Sequence, residues 1–483
     1  MIGPSFGAAE WQAIAPFSVV MLFAMGILLY EAFLGDPEDA DTPLWLSILG
    51  VAGGVLASMI FWNPDSDAFG GTLALDGIAL FANVLCGMSV WLTLMMARNY
   101  LPVIGVRTRE FYPLMHFTLG GMMIMGGARD LIVLFLGIEL MSFPAYVLAG
   151  IHRRDPRSGE ASLKYFVLGA FATAFLLYGI ALFWGATGAT SYAGITTALP
   201  AARGVAVLGA LALLVVALGF KASMAPFHYW APDVYQGSPT VVTALMTVGI
   251  KAAAVIAAAR FFVLTLAPLQ ADWTVVLWWV SALTMTLGNV VAIAQNNIKR
   301  MLAYSSIAHA GYLAAALAAG TPRGGAAALF YLLAYAFMNL GAFAVVMAVG
   351  AKGDPNELMS DYAGLARRRP GLAAAMMLFL FSLMGIPPLV GFAAKLYIVD
   401  ALIDAGSVGL AVLLMLNGVV SGYYYLRVNV EMFMREPAKE APAIEPRPYL
   451  MICVALLMLG TILFGIFPHL ALDFARQSFL TFG

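Results

Sequence analysis

Long apolar runs dominate the pattern of hydrophobic and polar positions along this chain. A bilayer core about 30 Å thick needs about 20 helical residues to cross it, and fourteen runs come close to that length. Their approximate ends are 12–33, 44–62, 73–96, 113–127, 131–150, 161–186, 204–222, 239–266, 274–295, 301–319, 325–350, 371–404, 408–434 and 449–467. The pattern predicts an all-α polytopic membrane protein with about fourteen transmembrane helices, in a single membrane domain over residues 1–483.

Two of these runs contain helix-breaking residues and cannot form regular helices. Pro226 and Pro232 interrupt the seventh run, and Pro387 and Pro388 interrupt the twelfth. Proline removes a backbone donor and clashes with the preceding turn. Non-helical backbone at membrane depth is tolerated only where it is buried in protein or lines a wet cavity. Interrupted helices at corresponding positions of two halves indicate an inverted-repeat transporter and its ion path.

The positions of the two breaks outline an internal repeat. Helices 4–8 (113–266) carry the first break in their fourth member, and helices 9–13 (274–434) carry the second break likewise. Because five is an odd number of spans, the second copy enters the membrane upside down relative to the first. We therefore predict two inverted five-helix repeats, each with a broken helix. Three helices (12–96) precede the repeats, and one last helix (449–467) follows them.

The composition agrees with an integral membrane protein that binds no cofactor of its own. Hydrophobic residues make up 62% of the chain and charged residues only 11%, against about 25% charged residues in soluble domains. The formal net charge is −1, and no basic stripe indicates nucleic-acid binding. The two cysteines, Cys86 and Cys453, both lie in apolar runs and form neither a disulfide framework nor an iron–sulfur spacing. No metal or cofactor site is expected in this chain.

Basic residues lie mainly in alternate loops, which predicts the orientation. The richer set holds Arg98, Arg107, Arg109, Arg153, Arg154, Arg157, Lys299, Arg300, Lys352, Arg367, Arg368, Arg369, Arg435, Lys439 and Arg447. The opposite set holds Arg129, Arg203, Arg260, Arg323 and Arg476. Fifteen basic residues against five place the richer loops in the cytoplasm by the positive-inside rule. Since fourteen spans return the chain to its starting side, both termini are expected to face outward.

Ionisable residues stand deep inside several apolar runs, where charge is expensive, notably Glu139, Lys221, Lys251 and Lys395. An ionised side chain at the centre of a membrane helix costs about 2.5–3.5 kcal/mol on insertion scales, so a chain that retains several is expected to use them. Lys251 stands about twelve residues into its helix, about 18 Å from the end and too deep to snorkel. A glutamate near Lys221 forms a switchable proton acceptor. This pattern points to ion or proton movement, with a role in packing alone as the alternative.

Four further polar residues have less certain roles. Lys164 lies about one turn inside a basic loop, so snorkelling to the cytoplasm is an equal alternative to a relay role. His228 follows Lys221 across the first break and is interpreted as a relay residue, the alternative being packing. His309 has no lysine near it in the sequence, and both readings stay open. Asp76 is expected at the level of the lipid headgroups.

Four segments closely resemble the antiporter-like membrane subunits of respiratory complex I. They are LGIELMS at 136–142, the stretch 219–239 with GFK, PFH and PDVYQGSP, NIKRMLAYSSI at 297–307, and GIPPLVGFAAK at 385–395. The likeness covers most of the chain, and the motifs occur in the family's order. Within the family the chain is most similar to the N type, because of the wording DVYQG at 233–237 and the lysine at 395.

The resemblance implies a function and a role for each site residue. It implies a proton-translocating subunit of a bacterial inner-membrane NADH:quinone oxidoreductase, with both termini on the periplasmic side. FMN, iron–sulfur clusters and quinone reduction are expected in partner subunits, which include neighbouring antiporter-like subunits. By the same resemblance Glu139 tunes Lys221, Lys251 is the central relay and Lys395 is the exit-side lysine. Lys164 matches the lysine of the sixth span, and His228 matches a position in the broken seventh helix.

Two other functions are weighed against this one. A subunit of a multi-subunit Na⁺/H⁺ antiporter shares the fold and the glutamate–lysine pattern, but the wording at 233–239 argues against it. A transporter of an organic solute would need a polar, substrate-sized pocket, whereas these spans are mainly apolar apart from isolated ionisable groups.

Overall fold

The computed structural model describes residues 7–35, 41–106, 109–202, 204–350, 357–437 and 447–480. Within these ranges the chain is almost entirely helical, with isolated β-bridges in place of strands. Four of the basic residues counted for the orientation, Arg107, Arg203, Lys352 and Lys439, lie outside the described residues.

The described chain contains fourteen spanning elements. They are α1 Ala8–Phe33, α2 Asp41–Phe61, α3 Gly77–Tyr100, α4 Phe111–Gly127, α5 Leu131–Ala149, α6 Pro156–Thr187, α7a Val205–Ala222 with α7b Trp230–Gly237, α8 Thr240–Thr265, α9 Gln270–Ile293, α10 Ile298–Ala318, α11 Pro322–Val349, α12a Pro370–Met384 with α12b Val390–Asp404, α13 Val408–Met434 and α14 Pro448–Ile466. Shorter helices lie at Tyr192–Ala202 and His469–Leu480. The predicted polytopic helical fold is confirmed, since twelve of the described helices are long and apolar enough to span, and α4 and the interrupted α12 complete the set.

Polar residues directly ahead of several helices determine where those helices begin. Asp130 accepts a hydrogen bond from the amide of Ile132 at 2.7 Å, and Asn297 accepts one from the amide of Arg300 at 3.0 Å. Such N-caps satisfy amides that have no partner within the helix. Further caps are Asp76 for α3, Asp155 for α6 and Thr321 for α11.

Both predicted helix breaks are present, each in the fourth member of its repeat. α7a ends at Ala222, where Ser223 adopts a left-handed conformation with φ 61°, and helix resumes only at Trp230. α12a ends at Met384, where Gly385 has φ 96°, and α12b begins after Leu389. Glycine takes up this conformation without the penalty that a Cβ atom brings. Each break therefore leaves two half-helix ends inside the protein.

The centre of the molecule is formed by α8, α10 and α11, which are buried almost throughout. α8 is irregular, because π-helical turns at Met246–Ile250 and Arg260–Thr265 flank the α-helical stretch Lys251–Ala259. Single π-turns inside α-helices are frequent at functional sites. α1, α6 and α14 are largely exposed and present apolar side chains outward, as expected of helices that contact lipid or other subunits.

Ion pairs join different helices at each of the two sides of the molecule. Asp233 in the first turn of α7b binds Lys164 near the start of α6 and Arg300 at the start of α10. On the opposite side Asp76, just before α3, binds Arg260 in the last turns of α8. We call the side where α6 begins the α6 face and the opposite side, where α11 begins, the α11 face.

Candidate functional site

Lys221 lies in the last turn of α7a, immediately before the first break, and is almost completely buried. Its Nζ donates hydrogen bonds to Ser142 Oγ at 2.8 Å and to Tyr146 OH at 3.2 Å, both on α5. The ammonium also lies 5.4 Å from the centre of the Tyr146 ring, within the range of a cation–π contact. In this structure polar neutral groups hold the lysine.

Glu139 lies one turn before Ser142 on α5 and faces a different way. Its Oε1 accepts a hydrogen bond from Thr173 Oγ1 of α6 at 2.7 Å. No ion pair within 4 Å joins Glu139 to Lys221 in the part of the chain that the structure describes. The glutamate is half-buried, and its neighbours Leu136 and Phe143 are exposed. The structure therefore brings the two charges onto neighbouring helices without direct contact.

Lys251 lies at the centre of the molecule and is fully buried. It follows directly on the π-helical turn Met246–Ile250 of α8. Its Nζ donates to the carbonyl oxygen of Ser306 on α10 at 2.6 Å and makes a second, short hydrogen bond to Ser306 Oγ. The ring centre of Tyr335 from α11 lies 5.7 Å away. The predicted midplane lysine is thus held between the two repeats.

A group of buried hydroxyl and imidazole side chains continues beyond Lys251 into the second repeat. The Oγ of Ser305, the residue before the acceptor Ser306, lies 2.5 Å from the hydroxyl oxygen of Tyr425 on α13. His309 Nε2 lies 3.2 Å from the same hydroxyl, and its Nδ1 lies 2.6 Å from Tyr331 OH. Hydroxyl and neutral imidazole groups can each donate and accept a hydrogen bond. This arrangement can pass a proton between neighbours.

Lys395 lies in the second turn of α12b and binds the other half of the same broken helix. Its Nζ donates to the carbonyl oxygens of Leu383 at 3.0 Å and Met384 at 2.8 Å, the last two residues of α12a. A cation at the C-terminus of a helix is favoured by the helix dipole. Glycine at position 385 suits this close approach, because a Cβ there would lie 3.1 Å from Lys395 Cδ and the lysine would have to shift. The ring of Tyr312 lies 5.0 Å below the ammonium.

His228 lies in the first break between α7a and α7b and is half-buried. Pro226 and Tyr229 on either side of it are exposed. Its Nδ1 is buried and has no hydrogen-bond partner among the described residues. No described hydrogen bond links it to Lys221 or Lys251, so its relay role stays a prediction.

Lys164 lies at the α6 face and is apart from the buried lysines. Its side chain is 40% exposed and pairs with Glu160 at 2.7 Å and with Asp233 at 2.8 Å. Asp233 also accepts a hydrogen bond from Arg300 at 2.8 Å. The structure thus places Lys164 in a partly exposed ion cluster at the α6 face, as the snorkelling alternative expects for its position.

Asp76 is a buried charge whose environment the sequence analysis missed. It is fully buried, and both of its carboxylate oxygens accept hydrogen bonds from Arg260, at 2.6 and 2.7 Å. Burial alone raises the pKa of Asp76, but Arg260 and then Arg129 outweigh it and hold the pKa below its usual value. Asp76 lies at the outer end of α3, where it was expected, but its burial and its partner were not predicted, because Arg260 is 184 positions away in the sequence.

Comparison with known proteins places this arrangement in a family. A family profile described as "NADH:quinone oxidoreductase/Mrp antiporter, TM" matches residues 128–421. NADH-quinone oxidoreductase subunit N of Trichlorobacter lovleyi is 41% identical over 476 residues, which are 98% of each chain. The protein of the same name from Chloroflexus aggregans is 42% identical over 481 residues, again 98% of each chain.

Solved structures agree with the sequence relatives. A chain of respiratory complex I from Thermus thermophilus with bound aureothin is 35% identical, with a TM-score of 0.81 over 95% of this chain and 98% of that one. A chain of the Mrp complex from Dietzia superposes with a TM-score of 0.83 over 96% of each chain, but at 21% identity the likeness is one of fold alone. The chain belongs to the NADH-quinone oxidoreductase subunit N family.

Proposed function

We propose that this chain is a proton-translocating membrane subunit of an NADH:quinone oxidoreductase. In this proposal NADH is oxidised and quinone is reduced in other subunits, and the present chain moves protons across the membrane. The names of the relatives support the proposal. The single observation that carries it is the fully buried Lys251, whose ammonium binds Ser306 beside a group of exchangeable hydroxyls.

The first repeat supplies the pair of charges that controls the central lysine. Lys221 binds Ser142 and Tyr146 while Glu139 binds Thr173, so a modest change of side-chain position brings the two charges together or moves them apart. Opposite charges interact much more strongly in a low-dielectric interior than in water. We infer that this contact sets the affinity of Lys221 for its proton and, through the electric field, that of Lys251.

The second repeat supplies the route from the central lysine to the exit. Lys251 donates to Ser306, and the adjacent Ser305 begins the group that includes Tyr425, His309 and Tyr331. We infer that a proton leaving Lys251 crosses this group and that the charge arriving there displaces the proton held on Lys395. Lys164 and His228 are proposed to assist on the entry side, as the family resemblance implies.

The orientation follows from the basic loops. We propose that the α6 face is cytoplasmic and that both termini lie on the periplasmic side of a bacterial inner membrane. FMN, iron–sulfur clusters and the quinone site are assigned to partner subunits. No group of three His, Cys, Asp or Glu able to hold a metal occurs within the described ranges. We further propose that 113–266 and 274–434 act as two units, flanked by 12–96 and 449–467.

A Na⁺/H⁺ antiporter subunit is the second function that this fold can serve. The Mrp chain has the same fold, but its sequence identity is 21%, against 41% for the subunit N of Trichlorobacter lovleyi. The antiporter function is therefore less well supported than the proton-translocating one.

The decisive experiment is NADH-driven, quinone-dependent proton uptake in membrane vesicles that carry Lys221→Ala. Assembly is checked on a native gel, and NADH oxidation is measured with an artificial electron acceptor. We expect an assembled complex that oxidises NADH with the artificial acceptor but has lost coupled uptake. Thr461→Val is the matched control, because this buried hydroxyl donates only within α14, to Leu457 O at 2.7 Å. Full coupled uptake in an assembled Lys221→Ala complex would refute the proposal.

A further inference from the structure

The second half of each broken helix forms ion pairs with a cation of a neighbouring helix. At the α6 face Asp233 of α7b accepts a hydrogen bond from Lys164 of α6 at 2.8 Å. At the α11 face Asp400 and Asp404 of α12b both pair with Arg323 of α11. We call these two sets of ion pairs the α6-face clamp and the α11-face clamp.

The two clamps join the same pair of helices in each of the two repeats. α6 and α11 are the third helices of their repeats, and α7b and α12b are the second halves of the fourth helices. In both repeats the cation lies near the start of the third helix and the carboxylate lies in the second half of the fourth helix. Because the repeats are inverted, the same connection appears at opposite faces. A connection present in both copies indicates a role in the break rather than an isolated surface contact.

Each clamped half-helix either carries one of the buried lysines or contacts the residue next to one. Lys395 belongs to α12b itself, five residues before Asp400, and its ammonium binds the last carbonyls of α12a. On the other side Trp230, the first residue of α7b, donates through Nε1 to Phe220 O at 3.0 Å, next to Lys221. A shift of either half-helix therefore alters the surroundings of one of the two lysines.

The α6-face clamp also reaches into the second repeat. Arg300 at the start of α10 donates to Asp233 at 2.8 Å and to the side chain of Gln236 at 3.0 Å. α10 carries Ser306, the acceptor of Lys251, fewer than two helical turns further on. The half-helix α7b is thus joined to both the Lys221 end and the Lys251 end of the proposed relay.

We propose that Asp233 and Arg323 are positioning residues that hold the second halves of the two broken helices and thereby set the geometry of Lys221 and Lys395. This inference rests on the proposed proton-translocating function. The clamps touch neither lysine directly and act through the half-helices that they anchor. Their side chains are 40–49% exposed, and exposed ion pairs contribute little to folding stability. Their removal therefore alters the coupling of proton movement while leaving assembly intact.

The test compares coupled proton uptake in vesicles that carry Arg323→Gln, the pair Asp400→Asn with Asp404→Asn, or all three changes. We expect at least a threefold loss of uptake in each of the first two, with normal assembly and normal NADH oxidation by an artificial acceptor. The triple variant is expected to lose no more uptake than Arg323→Gln or the pair of asparagine changes alone, because all three changes remove the same contact. Arg323→Lys, which keeps the charge, is expected to restore most of the uptake.

Asp233→Asn tests the other face in the same way, and Arg98→Gln is the matched control. Arg98 pairs with Asp41 at 2.7 Å at the surface, between α3 and α2 and outside both repeats. We expect uptake to fall at least threefold in Asp233→Asn and to be unchanged in Arg98→Gln. If Arg323→Gln does not assemble, the α11-face clamp is tested with the variant that combines Asp400→Asn and Asp404→Asn.

Normal uptake in the assembled Arg323→Gln complex, or losses that multiply in the triple variant, would overturn the proposal. An equal loss in Arg98→Gln would also overturn it. Lys221→Ala in the same vesicles separates the two proposals. If it loses uptake while both clamp variants retain uptake, only the clamp proposal is wrong. If it retains uptake, the proton-translocating function itself is wrong.

Discussion

The buried carboxylate of Asp76 offers a quantitative test of how the first three helices are joined to the first repeat. Asp76 caps α3 by accepting from the amide of Ala79 at 3.0 Å. It also binds Arg260 through both oxygens and Arg129 at 2.9 Å. The change Asp76→Asn keeps the size of the side chain and its capping ability, since asparagine is among the best N-cap residues. It removes only the negative charge and one acceptor oxygen.

The size of the effect follows from burial. Asp76 is fully buried and the side chain of Arg260 is 2% exposed, so solvent cannot replace the lost interaction. Removing one partner of a buried ion pair costs about 3–5 kcal/mol. That corresponds to about two to three and a half powers of ten in an equilibrium constant. By contrast, exposed pairs such as Arg98 with Asp41 contribute about 0–1 kcal/mol.

The assay is thermal loss of the assembled complex from detergent-solubilised membranes, followed on native gels with a tag on this subunit. We expect Asp76→Asn to lower the temperature of half-loss clearly, and Arg98→Gln to leave it almost unchanged. The double change Asp76→Leu with Arg260→Met is expected to recover part of the loss, because an apolar pair of similar volume often replaces a buried ion pair well. Equal temperatures of half-loss for Asp76→Asn and Arg98→Gln would refute the reasoning.

Three further predictions concern the proposed relay. Lys251→Arg and Lys251→Ala are both expected to abolish coupled uptake, because arginine keeps the charge but does not release its proton. Coupled uptake in the arginine variant would show that the lysine acts only as a fixed positive charge. Tyr425→Phe is expected to lower uptake several-fold in an assembled complex, because it removes the hydroxyl next to His309. Gly385→Ala is expected to destabilise the break by about 1 kcal/mol or more, because alanine is strained at φ 96°. It is also expected to lower uptake, because the added Cβ would contact the Lys395 side chain.

Matched variants serve as controls for the last two predictions. Tyr423→Phe removes a hydroxyl from an exposed position of the same helix as Tyr425, and uptake is expected to be unchanged. Gly406→Ala places alanine at φ 74° with nothing within 4 Å of its Cβ. It therefore reports backbone strain alone, and a loss of uptake equal to that of Gly385→Ala would contradict a specific contact with the lysine.

The fold could be predicted from the sequence because the lengths of the apolar runs and the positions of proline are local properties. Pro226 and Pro387 marked the two breaks, and even the short α4 appeared as a run at 113–127 before it was observed at Phe111–Gly127. The position of Lys251 well inside its helix was equally predictable, because the apolar run around it begins about twelve residues earlier.

The partners of these charges could not be predicted, because they come from distant positions. Lys251 binds Ser306, 55 residues away, and a serine in an apolar run gives no sign of that contact. The tyrosines around His309 look like ordinary aromatic content of membrane helices until the fold brings their hydroxyls together. The family resemblance implies that Glu139 tunes Lys221, but nothing in the sequence indicated that Ser142 and Tyr146 accept the hydrogen bonds of this lysine.

The central helix α8 is surrounded on all sides by other helices of the same chain, and Lys251 has no exposed surface. Lipids, detergents and hydrocarbon-soluble reagents therefore meet the outer helices but never this ammonium group. Neighbouring subunits are equally unable to touch it. Whatever redox chemistry elsewhere in the assembly does to this lysine must arrive as a displacement of its own chain's side chains or as a change in electric field. The Lys251 ammonium is out of reach of direct contact from outside the chain, so any control over it acts at a distance.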